Sequence, residues 1–112
     1  MSRCVGKSKA VEMILTGNHI NADEALRIGL VSNVFSREDL MPEAVTMART
    51  IMSKGQIAVR ESLHAILAGG EVSSMEGFRL EADAFGRCCG TDDSKEGISA
   101  FIQKRQPKFQ NL

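Results

Sequence analysis

A chain of 112 residues with 14 basic and 14 acidic side chains has room for one compact domain and carries no formal net charge. The balanced charge argues against a nucleic-acid or polyanionic partner, and aromatics at 4%, with no Trp or Tyr, leave no stacking platform for single strands. Hydrophobic content of 43% is ordinary for a folded protein, while no segment approaches the roughly 20 apolar residues of a membrane span.

From the N-terminus, "MSRCVGKSKAVEM" lacks the apolar run of a secretory leader. "VGKSKAVEMILTGN" sets Ala10, Met13 and Ile14 on one helical face and stops at Gly17. In "NADEALRIG" Asn21 precedes Glu24 by three, the spacing of a capping box, and Gly29 supplies the next stop. "LVSNVF" is too short and Val-rich for a helix and reads as a short extended piece. Pro42 marks the first turn of a helix expected to run to about Ser53. Leu40, Ala44, Met47, Ala48 and Ile51 form one stripe on it, with Met41, Val45 and Met52 beside them. A face that wide predicts cover on more than one side. After Lys54-Gly55-Gln56 a further helix carries Val59, Leu63, Ile66 and Leu67 and ends at Gly69-Gly70. Ser73 and Glu76 form a second capping box, opening a helix whose seam is expected to be Met75, Phe78, Ala82, Phe85 and Cys89. The fold class is therefore mainly α, about six helices with at most one short extended piece. No linker or repeat interrupts residues 1–112, read as a single helical module.

Signatures of common chemistry are absent: no phosphate-cradling G-x-x-x-x-G-K, no G-x-G-x-x-G and no G-x-S-x-G elbow. His19 and His64 lack metal-ligand spacing and read as polar surface or satisfied histidines. No metal site is expected, and no catalytic residue is assigned. Three cysteines, two of them adjacent, give no disulfide framework and point to a reducing compartment such as the cytoplasm. Cys88 and Cys89 read as small packing residues, with a thiol redox pair as the alternative.

"CCGTDDSKEGISAFIQKRQPKF" closes the chain. Asp93 and Glu96 stand three apart, so Asp93 is expected to cap the last helix and Glu96 to reach back. Asp92 and Asp93 also complement the positive end of the helix dipole. That assignment explains the acids without catalysis. Beyond it Ile98, Phe101 and Ile102 form an apolar stripe, followed by Lys104, Arg105 and Lys108 with no intervening acid. A ring beside a lysine suits a nucleotide, the ring on a base and the ammonium on a phosphate. A solvated basic helix end, favourable to the dipole, is the other reading of the same residues.

Two of these stretches, "LTGNHINADEALRIGLVSNVF" and "EADAFGRCCGTDDSKEGISAFIQKRQPKF", resemble the C-terminal part of the enoyl-CoA hydratase (crotonase) family. The first follows the pattern L-T-G, I, A-x-E-A, G-L-V. The second follows F, T-x-D, E-G-x-x-A-F, K-R-x-P-x-F. The matching blocks run from Val5 to Phe109, and Gly55-Gln56 departs from a proline that many members have there. The resemblance implies the helical C-terminal region of a crotonase-like fold, which in the family helps form trimers or pairs of trimers. The family's glycine-rich oxyanion segment and its two catalytic glutamates lie in a larger N-terminal domain, and neither block has a counterpart here. The implied function is that of a C-terminal fragment of an enoyl-CoA hydratase-like enzyme, catalytically incomplete alone. An acyl-CoA substrate would be bound through the intact homo-oligomer, with coenzyme A present as part of the thioester and no separate cofactor. Phe101 and Lys104 match the A-F-x-x-K positions that approach the adenine end of CoA held by a neighbouring subunit. A stand-alone helical interaction module derived from the same family is the alternative.

Overall fold

Local capping chemistry sets several of the helix boundaries. The computed structural model describes residues 2–112, and among these the chain forms seven helices and no strand: α1 Ser2–Val5, α2 Lys7–Thr16, α3 Ala22–Arg27, α4 Leu40–Met52, α5 Gln56–Gly69, α6 Ser74–Cys89 and α7 Asp92–Ile102. Asn21 Oδ1 accepts from Glu24 N at 2.8 Å and Ser73 Oγ from Glu76 N at 3.3 Å, each satisfying an N–H that has no partner within its helix. Gly17 closes α2 in the left-handed conformation. Pro42 sits in the first turn of α4, where its missing N–H breaks no helical bond. Leu30–Phe35, read from sequence as extended, pairs with no strand and stays irregular. None of the helices is long and apolar enough to cross a membrane among the described residues.

The chain divides into two compact units, residues 1–45 and 46–112. In the first, Ala10 and Ala25 are buried, and Glu24 accepts Arg27 Nε at 2.6 Å and lies 3.7 Å from Lys9 Nζ. Its short α3 ends in a turn where Gly29, at φ +74°, allows Leu30 N to donate back to Ala25 O. In the second unit the most extensive pairing is α5 on α6. Small residues control it. A Cβ placed on Gly77 would lie 3.8 Å from the Cα of Gly69, so the two backbones nearly touch. Ala84 is buried on the same side of α6, and Arg87 Nε donates to Glu61 Oε2 at 2.7 Å across the pair.

That geometry corrects the expected seam of α6. Met75, Phe78 and Phe85 are exposed, as are Ala82 and Cys89, and the covered side of α6 runs through Gly77, Leu80, Ala84 and Cys88 instead. Phenylalanine rings cannot enter a contact this close, and Phe78 and Phe85 instead line an open groove beside it with Ala65, Ile66 and Gly69 of α5. The wide stripe on α4 is likewise uncovered, with no residue of that helix buried. Among the described residues the buried ones are four alanines, Asp93 and Gly55, with no large apolar side chain.

Two glycines of α6 should therefore respond oppositely to substitution. A Cβ on Gly86 meets nothing within 4 Å, so Gly86→Ala should raise stability by about 0.5–1 kcal/mol through helix propensity. Gly77→Leu has no such space and should cost about 1–3 kcal/mol by prying α5 from α6. Denaturant unfolding of the two variants against the parent checks both signs.

Candidate functional site

The residues singled out for nucleotide contact lie at the end of α7, and two carboxylates organise that end. The N-cap of α7 is Thr91, whose Oγ1 accepts from Ser94 N at 3.1 Å in an extended conformation, φ −86° and ψ 155°. This corrects the expected capping box of Asp93 and Glu96. With Thr91 as cap, Asp93 is the second residue of the helix, turned inward and only 7% exposed. Its Oδ1 accepts from Gln110 N at 2.7 Å and its Oδ2 from Asn111 N at 2.8 Å. The main-chain oxygen of Leu112 in turn accepts from Asp92 N at 2.9 Å and Asp93 N at 3.2 Å. Asn111, at φ +65°, turns its Oδ1 to accept from Gln56 N at 2.9 Å, which satisfies the start of α5. Gly55 stands against this carboxylate: a Cβ there would meet Asp93 Oδ2 at 3.3 Å. The glycine in place of a proline is thus a position where the buried acid leaves little space.

Glu96, one turn further on, holds the other end of the tail. It takes the Arg105 guanidinium in a fork, Nη1 to Oε1 at 2.5 Å and Nη2 to Oε2 at 2.8 Å, and accepts Lys108 N at 2.8 Å. The Arg105 hydrogen bonds, and then the Lys108 main-chain donor, bring the Glu96 carboxyl down to about 2. Between these two anchors the ring of Phe109 lies over Gly97, where a Cβ would be 3.5 Å from the ring.

The turn between Glu96's helix and its arginine is strained. Lys104 follows the C-cap Gln103 at φ +53°, a region that disfavours side chains bearing a Cβ. Lys104 N donates to Phe101 O at 3.2 Å and Arg105 N to Ala100 O at 3.0 Å. The same pair of bonds closes α3, where Gly29 N meets Leu26 O and Leu30 N meets Ala25 O, but there a glycine holds the left-handed position. Lys104 pairs with no carboxylate among the described residues, whereas Lys9, Lys95 and Arg105 all do. Phe101 is 85% exposed, and Ile98 and Ile102 beside it are also exposed.

Phe101, with an open ring, and Lys104, with an unpaired ammonium, thus stand three residues apart at one helix end. Sequence reasoning missed the acid-held tail beneath them, because main-chain donors at residues 108, 110 and 111 carry no sequence signature. Among the described residues no group of three or more His, Cys, Asp or Glu is placed to hold a metal ion. Cys88 is half-buried, Cys4 and Cys89 are exposed, and all three are free thiols.

Comparison with known proteins gives this arrangement a relationship. The family model described as enoyl-CoA hydratase/isomerase matches residues 1–111. The chain is 46% identical over 109 residues to a crotonyl-CoA hydratase of Syntrophomonas wolfei, covering 97% of this chain and 42% of that protein. It is 39% identical over 111 residues to a mitochondrial enoyl-CoA hydratase of Pongo abelii, covering 99% of this chain and 38% of that protein. A crystal structure of enoyl-CoA hydratase from Bacillus anthracis superposes with a TM-score of 0.94 at 37% identity, over 99% of this chain and 43% of the other. The chain spans about two-fifths of the length of the relatives it matches.

The low value at Glu96 fixes a pH window. A carboxyl lowered on folding adds stability that is complete above its ordinary 4.5 and is lost as pH falls through its folded value of about 2. Melting the parent and Glu96→Gln side by side should show a constant difference above pH 4.5 that shrinks below it and closes near pH 2. A difference independent of pH across that range would contradict the clasp.

Proposed function

The chain belongs to the enoyl-CoA hydratase/isomerase family, and from that premise we propose that it is the C-terminal part of an enoyl-CoA hydratase-like enzyme. In this reading the intact protein adds water across 2-enoyl-CoA thioesters in fatty-acid β-oxidation, in the cytoplasm or the mitochondrial matrix. The present residues supply subunit contacts and touch the adenine end of CoA, and they do not catalyse hydration alone. Three observations support this. The relatives matched are named as hydratases of crotonyl-CoA or enoyl-CoA, and the chain spans about two-fifths of them. Large apolar side chains on α4 and α6 stand exposed, as expected of faces that other parts of an assembly cover. Those same faces favour the second reading, a free helical module that associates with itself or a related enzyme.

The observation that carries the CoA contact is Lys104 in a left-handed turn beside an exposed Phe101. Strain of this kind persists where the surrounding structure enforces it, often at ligand contacts. An adenine can lie on the ring while a CoA phosphate meets the ammonium.

A single substitution separates the stability of this turn from its use. Lys104→Gly should stabilise the chain by about 1 kcal/mol, because glycine adopts positive φ without strain. It should also weaken CoA binding. Titrating the chain with millimolar CoA should perturb NMR signals of Phe101 and Lys104 in the parent, and less so in Lys104→Gly. The parent should leave the double bond of crotonyl-CoA intact. Saturable hydration by the pure chain, or perturbations confined to other residues, would overturn the reading.

A further inference from the structure

We infer that Glu96 is a positioning residue for the nucleotide contact: its carboxylate locks the left-handed turn at Lys104 and so directs the Lys104 ammonium. The inference rests on the CoA reading above. Lys104 sits between two groups that Glu96 holds. On one side Glu96 is part of α7, whose last turns carry Ala100 and Phe101, the acceptors of the turn's two main-chain bonds. On the other side Glu96 grips Arg105, the residue immediately after Lys104, through both terminal guanidinium nitrogens. It also accepts Lys108 N, three residues further along. Arg105 is oriented from a third direction, with its Nε donating to Gln103 Oε1 at 2.7 Å.

A non-glycine residue at positive φ tends to relax toward negative φ unless its neighbours are fixed. Here Gln103 and Arg105, the residues flanking Lys104, are tied together by side chains, and Arg105 and Lys108 are tied to one carboxylate. At α3 the corresponding turn has glycine at its left-handed position, Gly29. Charge at Glu96 thus substitutes for the glycine, which lets a lysine stand where the backbone alone would exclude it. A glycine would leave the turn intact but remove the ammonium.

The test uses the full chain and coenzyme A as probe. Without ligand, Lys104 should show the Cα and Hα shifts of a left-handed residue, and the Arg105 amide should be protected from exchange by Ala100 O. Glu96→Gln should weaken both signatures while the signals of α5 and α6 stay in place. Arg105→Lys, which keeps the charge and loses the fork, should do the same. CoA affinity, read from the titration of Phe101 signals, should fall about fivefold in Glu96→Gln if the competent turn drops to about a fifth of the population. In a Lys104→Ala background, Glu96→Gln should change affinity less than about twofold, because the group it positions is gone. An unchanged Lys104 signature in both Glu96→Gln and Arg105→Lys would overturn the inference. So would an equal loss of affinity with and without the Lys104 side chain. If CoA perturbs neither Phe101 nor Lys104 in the parent, the nucleotide reading fails, and the ligand-free turn signature still decides whether Glu96 sets the direction of Lys104.

Discussion

The second compact unit depends on carboxylates of α7 accepting main-chain N–H groups from the tail. Asp93 takes Gln110 and Asn111, and Glu96 takes Lys108 together with the Arg105 fork. A buried carboxylate is costly unless both oxygens find donors, and a chain segment without helix or sheet has main-chain donors that need acceptors. Each requirement meets the other here. The tail returns the exchange through Leu112 O, which satisfies two N–H groups at the start of α7, and through Asn111 Oδ1, which satisfies one at the start of α5. Two helix starts, a buried acid and a loop without regular structure are stabilised by one set of bonds, so disturbing any member exposes the others.

This polar arrangement matters more because the apolar core is slight. Alanines are the largest apolar side chains buried among the described residues, while Phe78, Phe85 and Phe101 are exposed. In the α5–α6 pair, close backbone approach at Gly69 and Gly77 replaces bulk, and the rings remain outside the contact. Close packing of small residues holds helices together without using the large apolar surface. That surface stands exposed, on a chain whose matched relatives are more than twice as long.

What the sequence made legible was local. Asn21 and Ser73 announce their helices because a side-chain oxygen reaches an N–H three residues on, and Gly17 and Gly29 mark where a chain can turn left-handed. The family motifs were legible for the same reason, being short blocks at fixed spacing. Two kinds of information were not. The sequence cannot say which apolar side of α6 meets α5, because hydrophobicity alone does not distinguish a face covered within the chain from one left open. Nor does the Asp93 to Glu96 spacing reveal that the cap is Thr91 and that both acids serve residues 9 to 18 positions away. The left-handed conformation of Lys104 was not legible, since the glycine that normally marks such a turn is absent there.

The most direct test of the central claim, that these residues are the C-terminal part of an enoyl-CoA hydratase-like enzyme, is to sequence the gene upstream of the Met1 codon. The expected result is a reading frame that stays open and encodes a glycine-rich oxyanion segment and two glutamates. A stop codon followed by a genuine start site at Met1 would contradict it, and would make the chain a free-standing helical module.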